Sequence, residues 1–263
     1  MLKTPLFDKN APWKQRFRAP HVAWAQLARG NPVRGLAVST SSGHYQLYAW
    51  DVLTNELRQL TSRPEGVPFG TLSPDGRYIY YLQDSGGDEI GHFVQIPFAG
   101  GAPRDITPQR PPYSAFGISA SRAGNLLGTT VSDSDGFHTL VLPVEAGDRI
   151  GMPKEIHHSR KIMFGPSLSH SGEIGVITSR DRSTFQHYSL IALDTKTGER
   201  IAELSEAGDS GFWSFGFSPL PGDSRFLAIS NRSGFSRPLI WNPAGGQRAW
   251  NRDSRPDRHR RHC

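Results

Sequence analysis

The chain has 263 residues with a single cysteine, Cys263, and 30 lysines and arginines against 24 aspartates and glutamates, a formal net charge of +6. One cysteine excludes an intrachain disulfide, and no apolar run reaches the roughly 18 residues of a membrane-spanning helix. Six arginines against two aspartates fall within residues 247–263, so most of the positive charge is terminal and the body carries no basic stripe for nucleic acid.

Residues 1–18 form an N-terminal extension with weak helical periodicity and without the apolar core of a signal peptide. A reducing, cytoplasmic setting is therefore expected. From residue 19 to 250 the chain alternates short β-branched and aromatic stretches with polar turns. The first repeat predicts strands over 22–27, 34–39, 45–52 and 56–61. The second predicts strands over 69–72, 77–82, 92–98 and 103–107. Its first turn is Leu72-Ser-Pro-Asp-Gly76, where glycine supplies the positive φ of a tight turn. The fourth strand contains Pro103, which suits an outer edge. The third repeat predicts strands over 115–119, 125–131, 138–143 and 154–157. The fourth predicts 163–169, 174–179, 188–194 and 199–204, and the fifth 213–218, 225–230, 238–241 and 247–250. Residues 251–263 have no apolar residue able to build a strand, and a disordered basic tail is expected there, the end of a truncated product.

The turn glycines Gly76, Gly124, Gly172 and Gly222 lie 48, 48 and 50 residues apart, and Gly30 stands 46 residues before Gly76. A period of about 40–50 residues in an all-strand pattern is the signature of a β-propeller. The expected fold is all-β, with five four-stranded antiparallel blades and an incomplete ring. Each small sheet has two apolar faces, and stacking blades in a ring buries them. Aromatics Tyr78, Tyr80, Tyr81, Phe93, Trp213, Phe215 and Phe217 are expected mostly in the cores between blades.

Two segments resemble known propellers: Tyr45-Gln-Leu-Tyr-Ala-Trp-Asp51 with Glu56-Leu-Arg-Gln-Leu-Thr61, and Thr71-Leu-Ser-Pro-Asp-Gly-Arg-Tyr-Ile-Tyr-Tyr-Leu82 with Pro97-Phe-Ala-Gly-Gly-Ala-Pro-Arg-Asp-Ile-Thr107. They are similar to the propeller of prolyl-oligopeptidase-family serine peptidases, acylaminoacyl-peptidase branch, and more loosely to TolB-type propellers. The resemblance implies a lid that restricts peptide access to an α/β-hydrolase domain. No Gly-x-Ser-x-Gly nucleophile elbow occurs; Gly211-Phe-Trp-Ser-Phe-Gly216 comes nearest, with its serine one position late. No catalytic residue is therefore assigned, and no cofactor is expected.

Ten histidines include His157, His158 and His170, but no His, Cys or carboxylate spacing matches a metal motif, so no metal site is expected. The loop Asp84-Ser-Gly-Gly-Asp-Glu-Ile-Gly91 carries Asp84, Asp88 and Glu89. In some relatives, acidic propeller residues hold a substrate's amino terminus, which makes this a ligand-contact loop by blade position. Similar loops at Asp133-Ser-Asp-Gly136 and Arg180-Asp-Arg182 favour a plain solvated turn.

The leading expectation is the non-catalytic, substrate-gating and docking portion of a prolyl-oligopeptidase-like peptidase, whose partners are a peptide and an α/β-hydrolase domain. A free-standing TolB-like binding propeller and, behind it, a propeller lyase or lactonase are the alternatives. An open ring with an apolar end favours the first, a closed polar ring the second, and histidines and carboxylates lining the channel the third.

Overall fold

The computed structural model describes residues 11–250 apart from 16–17, 147–148, 183–186 and 207–209. The tail expected over 251–263, and much of the N-terminal extension, lie outside the described residues. The extension contributes one helical turn, α1 (Pro12–Gln15). The rest is five antiparallel four-stranded sheets in chain order, a five-bladed propeller. Blade one holds β1 (Val22–Ala28), β2 (Asn31–Ser39), β3 (Gln46–Asp51) and β4 (Glu56–Gln59). Blade two holds β5 (Thr71–Leu72), β6 (Tyr78–Asp84), β7 (Gly91–Pro97) and β8 (Arg104–Asp105). Blade three holds β9 (Ser114–Ala120), β10 (Leu126–Asp133), β11 (Gly136–Pro143) and β12 (Lys154–Ser159). Blade four holds β13 (Met163–Leu168), β14 (Ile174–Ser179), β15 (Ser189–Asp194) and β16 (Arg200–Leu204). Blade five holds β17 (Phe212–Phe217), β18 (Phe226–Ser230), β19 (Arg237–Asn242) and β20 (Gln247–Trp250).

The repeated turn has one chemistry in blades two, three and four. A serine opens it, and its hydroxyl accepts the amide that starts the next strand: Ser73 from Tyr78, Ser121 from Leu126 and Ser169 from Ile174, all at 3.0–3.1 Å. A glycine closes it at φ of +73°, +75° and +83°, donating its amide to that serine's carbonyl at 2.9–3.0 Å. The left-handed conformation explains the glycine. Gly30 differs: it has no positive φ, and a Cβ there would lie 3.2 Å from the Pro74 carbonyl. Its amide donates to that same oxygen at 2.7 Å. Close approach between blades one and two selects glycine at this position.

The middle strands of each blade are the most buried. The sequence Leu36-Ala-Val-Ser39 of β2 is wholly buried while β4 is wholly exposed. Side-chain alternation then supplies each blade with two apolar faces. Four cores result among the described residues: blade one on two, two on three, three on four and four on five. A closed ring of five blades would have a fifth core. Among the described residues no such core joins blade one to blade five.

The expectation about the aromatics divides. Tyr80, Tyr81 and Phe93 are buried between blades. Trp213 and Phe215 are 43% and 64% exposed, exceptions to the expectation that most of these aromatics pack in cores. Strands β5 and β8 are also two residues long where four and five were predicted. Phe69 is exposed outside β5, and Pro103, without an amide proton, precedes β8.

Candidate functional site

The loops joining the second and third strands of each blade share one rim of the propeller. In blade two this loop carries Asp84, Asp88 and Glu89. The Asp84 carboxylate accepts the Glu89 amide at 3.2 Å, and Asp88 accepts the amides of Ser85 and Ile90 at 3.4 and 3.0 Å. Glu89 sits at φ +60°, and its carbonyl accepts the Ser114 hydroxyl at 2.8 Å. Arg63 donates to the Asp84 carbonyl at 2.8 Å while pairing with Glu65 at 2.7 Å. The loop is thus built by its own carboxylates, which spend oxygens on backbone amides.

The same rim concentrates histidines beside carboxylates. His92 Nδ1 lies 2.9 Å from Asp105 in blade two. His157 lies 3.2 Å from Asp181, and Ser159 donates to that same carboxylate, tying blade three to blade four. His138 lies between two carboxylates, with Nδ1 2.9 Å from Glu155 and Nε2 3.2 Å from Asp133. Burial opposes ionisation of Asp133, but the Asp135 amide, His138 and Arg110 outweigh it and hold its carboxyl below the ordinary range. His138 pairs directly with His158 across β11 and β12, and their rings stack with centroids 4.6 Å apart.

The sequence singled out His157 and His158 but not His138. Pairing the predicted strand at 138–143 with the one that follows would have set 138 near 158, yet the register depends on an irregularity between Thr139 and Leu140. No sequence pattern announces that irregularity. These groups belong to the third and fourth strands of blade three, on the outside of the ring and away from the channel-lining first strands. His170, the other histidine singled out, instead offers its carbonyl to the Ala123 amide at 2.9 Å.

Ser214, the serine nearest in sequence to a nucleophile elbow, lies within β17 opposite Ala228. Its hydroxyl accepts a hydrogen bond from Thr178 at 3.1 Å. A strand interior does not provide the sharp strand-to-helix turn that exposes such a nucleophile.

The opposite rim carries the serine-glycine turns. Blade one meets blade two through Gly30, and blade three meets blade four through Ala123 and His170. Between blades two and three the turns part around a cleft of about 520 Å³, whose walls include Asp75, Arg77, Arg122 and Glu145. Both charge signs line it, so it selects no single ligand charge.

The most distinctive surface is the free face of blade five. Along β18 the side chains alternate: Phe226 and Ala228 enter the core with Leu239 and Trp241, while Leu227 faces out. Leu227 pairs with Ile240 across β19, and with Phe215 they line a shallow groove of about 510 Å³. On blade one, Ala37 and Tyr48 of the face turned away from blade two are buried, while Val22, Leu27, Val33 and Leu57 are exposed. Apolar surface of this kind, gathered on the face of a sheet, marks a place where another body packs.

No family model and no curated protein sequence matches the chain. Solved structures do match its fold. An oligogalacturonate lyase in complex with manganese superposes with a TM-score of 0.64 at 12% identity, covering 85% of this chain and 63% of the lyase. A prolyl endopeptidase superposes with a TM-score of 0.66 at 12% identity, covering 90% of this chain and 37% of the enzyme. A protein of Agrobacterium tumefaciens assigned as TolB gives 0.59 at 15% identity, covering 89% and 84%. The chain thus spans under two thirds of the lyase and little over a third of the peptidase. At these identities the likeness is one of fold alone, a β-propeller.

Proposed function

We propose that the chain is the non-catalytic propeller portion of a prolyl-oligopeptidase-like serine peptidase, gating peptides and docking against an α/β-hydrolase domain. The observation that carries this reading is the exposed apolar face of blade five, formed by Phe215, Leu227 and Ile240. A propeller that works alone has every reason to bury such faces, whereas one that is part of a larger body leaves them for a neighbour. The segments 45–61 and 71–107, which resemble the peptidase propellers, support the reading, as does the superposition on prolyl endopeptidase.

The test is hydrolysis of prolyl and acyl-aminoacyl p-nitroanilides by the purified chain. No turnover is expected, since no serine sits on a nucleophile elbow. Turnover that a serine-directed phosphonate abolishes would overturn the proposal.

A free-standing TolB-like binding propeller is the second reading. The 84% coverage of the Agrobacterium protein favours it, because there the two chains are similar in extent. It predicts a monomer that binds no hydrophobic dye.

A further inference from the structure

We propose that His138, His158 and Asp135 form a binding site for a divalent transition-metal ion on the outer rim of blade three. One donor atom from each of the three lies within 4.8 Å of the others. They come from three elements: Asp135 from the β10–β11 hairpin turn, and the histidines from directly paired positions on β11 and β12.

The strongest argument is a conflict of hydrogen bonding at His138. A neutral imidazole has one N–H and one acceptor nitrogen. Yet His138 has a carboxylate at each nitrogen, Glu155 at 2.9 Å and Asp133 at 3.2 Å, and its side chain is only 9% exposed. One of those contacts sets acceptor against acceptor unless a cation is present. Glu155 on Nδ1 is the arrangement seen behind metal-ligating histidines, where a carboxylate fixes the tautomer and turns Nε2 toward the ion.

The remaining donors fit. His158 Nε2 is 3.6 Å from the Asp135 carboxylate and 3.3 Å from its carbonyl oxygen. Donors on a tetrahedral ion, each about 2.1 Å from it, lie about 3.4 Å apart. Asp135 and His158 are on the surface, so their side chains can rotate to close the present spread, while His138 stays fixed. Gly136 keeps the space open: a Cβ there would meet the Ser159 carbonyl at 2.6 Å and His158 Nε2 at 3.3 Å. Two imidazoles and a carboxylate suit zinc, cobalt, nickel or copper and do not suit magnesium or calcium. Arg110 and Arg160, at 3.7 and 3.9 Å from Asp133 and Asp135, offset part of the carboxylate charge that would draw hard cations.

The test is titration of the full chain with cobalt(II), read by its visible absorption, and with zinc as competitor. His259, His262 and Cys263 are alternative donors, so all proteins carry His259→Ala, His262→Ala and Cys263→Ser. Saturation at one equivalent is expected, displaced by zinc and untouched by magnesium. His158→Ala and Asp135→Asn, both exposed and compatible with folding, are each expected to weaken binding at least tenfold. Circular dichroism verifies that they fold. Binding only at millimolar cobalt, or equal affinity in His158→Ala, would overturn the site.

Discussion

At the residue scale, backbone approach decides more than side-chain identity. Gly91, the first residue of β7, faces Asp84 across the hairpin, and a Cβ there would sit 2.0 Å from the Gln83 carbonyl oxygen. Neither group is a flexible tip, so the ladder itself must open. Gly91→Ala is expected to cost about 2–4 kcal/mol, read as a lowered midpoint in urea unfolding. Gly86, in the same loop at φ +70°, has nothing within 4 Å of its would-be Cβ. Gly86→Ala is expected to cost only about 1 kcal/mol, from the left-handed backbone alone. Equal effects of the two would show that crowding at Gly91 is relieved cheaply. This contrast is invisible in the sequence, where both read as turn glycines.

At the element scale, each blade depends on its neighbour. Phe226 meets Phe217 edge-on at 4.9 Å and Trp241 at 6.3 Å within the core of blades four and five. Trp241 is 2% exposed, and Trp241→Ala is expected to cost about 3–5 kcal/mol. Phe235→Ser, at a 75% exposed residue of the same blade, is expected to be neutral in the same unfolding assay. The hairpins also carry an electrostatic signature. Asp194 is held below its ordinary 3.8 first by the Thr197 amide, with help from Lys196. Burial opposes ionisation of Asp75 and Asp181, yet Ser73 and Arg77 for the former, and Ser159 and His157 for the latter, bring both below it too. A depressed folded value means the stabilisation is complete above the unfolded value and is lost as pH falls through the folded one. The melting temperature is therefore expected to hold near neutrality and to fall below about pH 4. Asp181→Asn, which removes one such group, is expected to make that acid slope shallower; an unchanged slope would remove Asp181 from the account.

At the scale of the whole molecule, the described residues form four cores between five blades, and the outer face of blade five leaves Phe215, Leu227 and Ile240 exposed. The free face of blade five is expected to bind a hydrophobic dye or drive association of the purified chain, measured by fluorescence and sedimentation velocity. Changing Phe215, Leu227 and Ile240 together to serine is expected to abolish either effect with little change in unfolding midpoint, since all three are already exposed. A wild-type chain that stays monomeric and dark would count against an uncovered face and favour the TolB-like reading. The rim site is independent of this outcome, because β11 and β12 lie within an interior blade.

The five blades, their order and most strand positions were legible along the chain because they rest on local chemistry: the glycine turn, the β-branched strand, period-two alternation. So was the polar character of the Asp84, Asp88 and Glu89 loop, whose carboxylates fold back on their own amides. Local chemistry does not reveal which face of a sheet ends up covered. Trp213 and Phe215 lie in aromatic strands as Tyr80 and Phe93 do, yet the first two are exposed and the others are buried between blades. Nor does it reveal register. His138 and His158 are neighbours because two strands pair past an irregularity, a choice made by packing across the whole blade. Amino-acid order alone determined the repeating unit; the tertiary structure decided which aromatics are covered and where two histidines meet, since both depend on residues far apart in the chain.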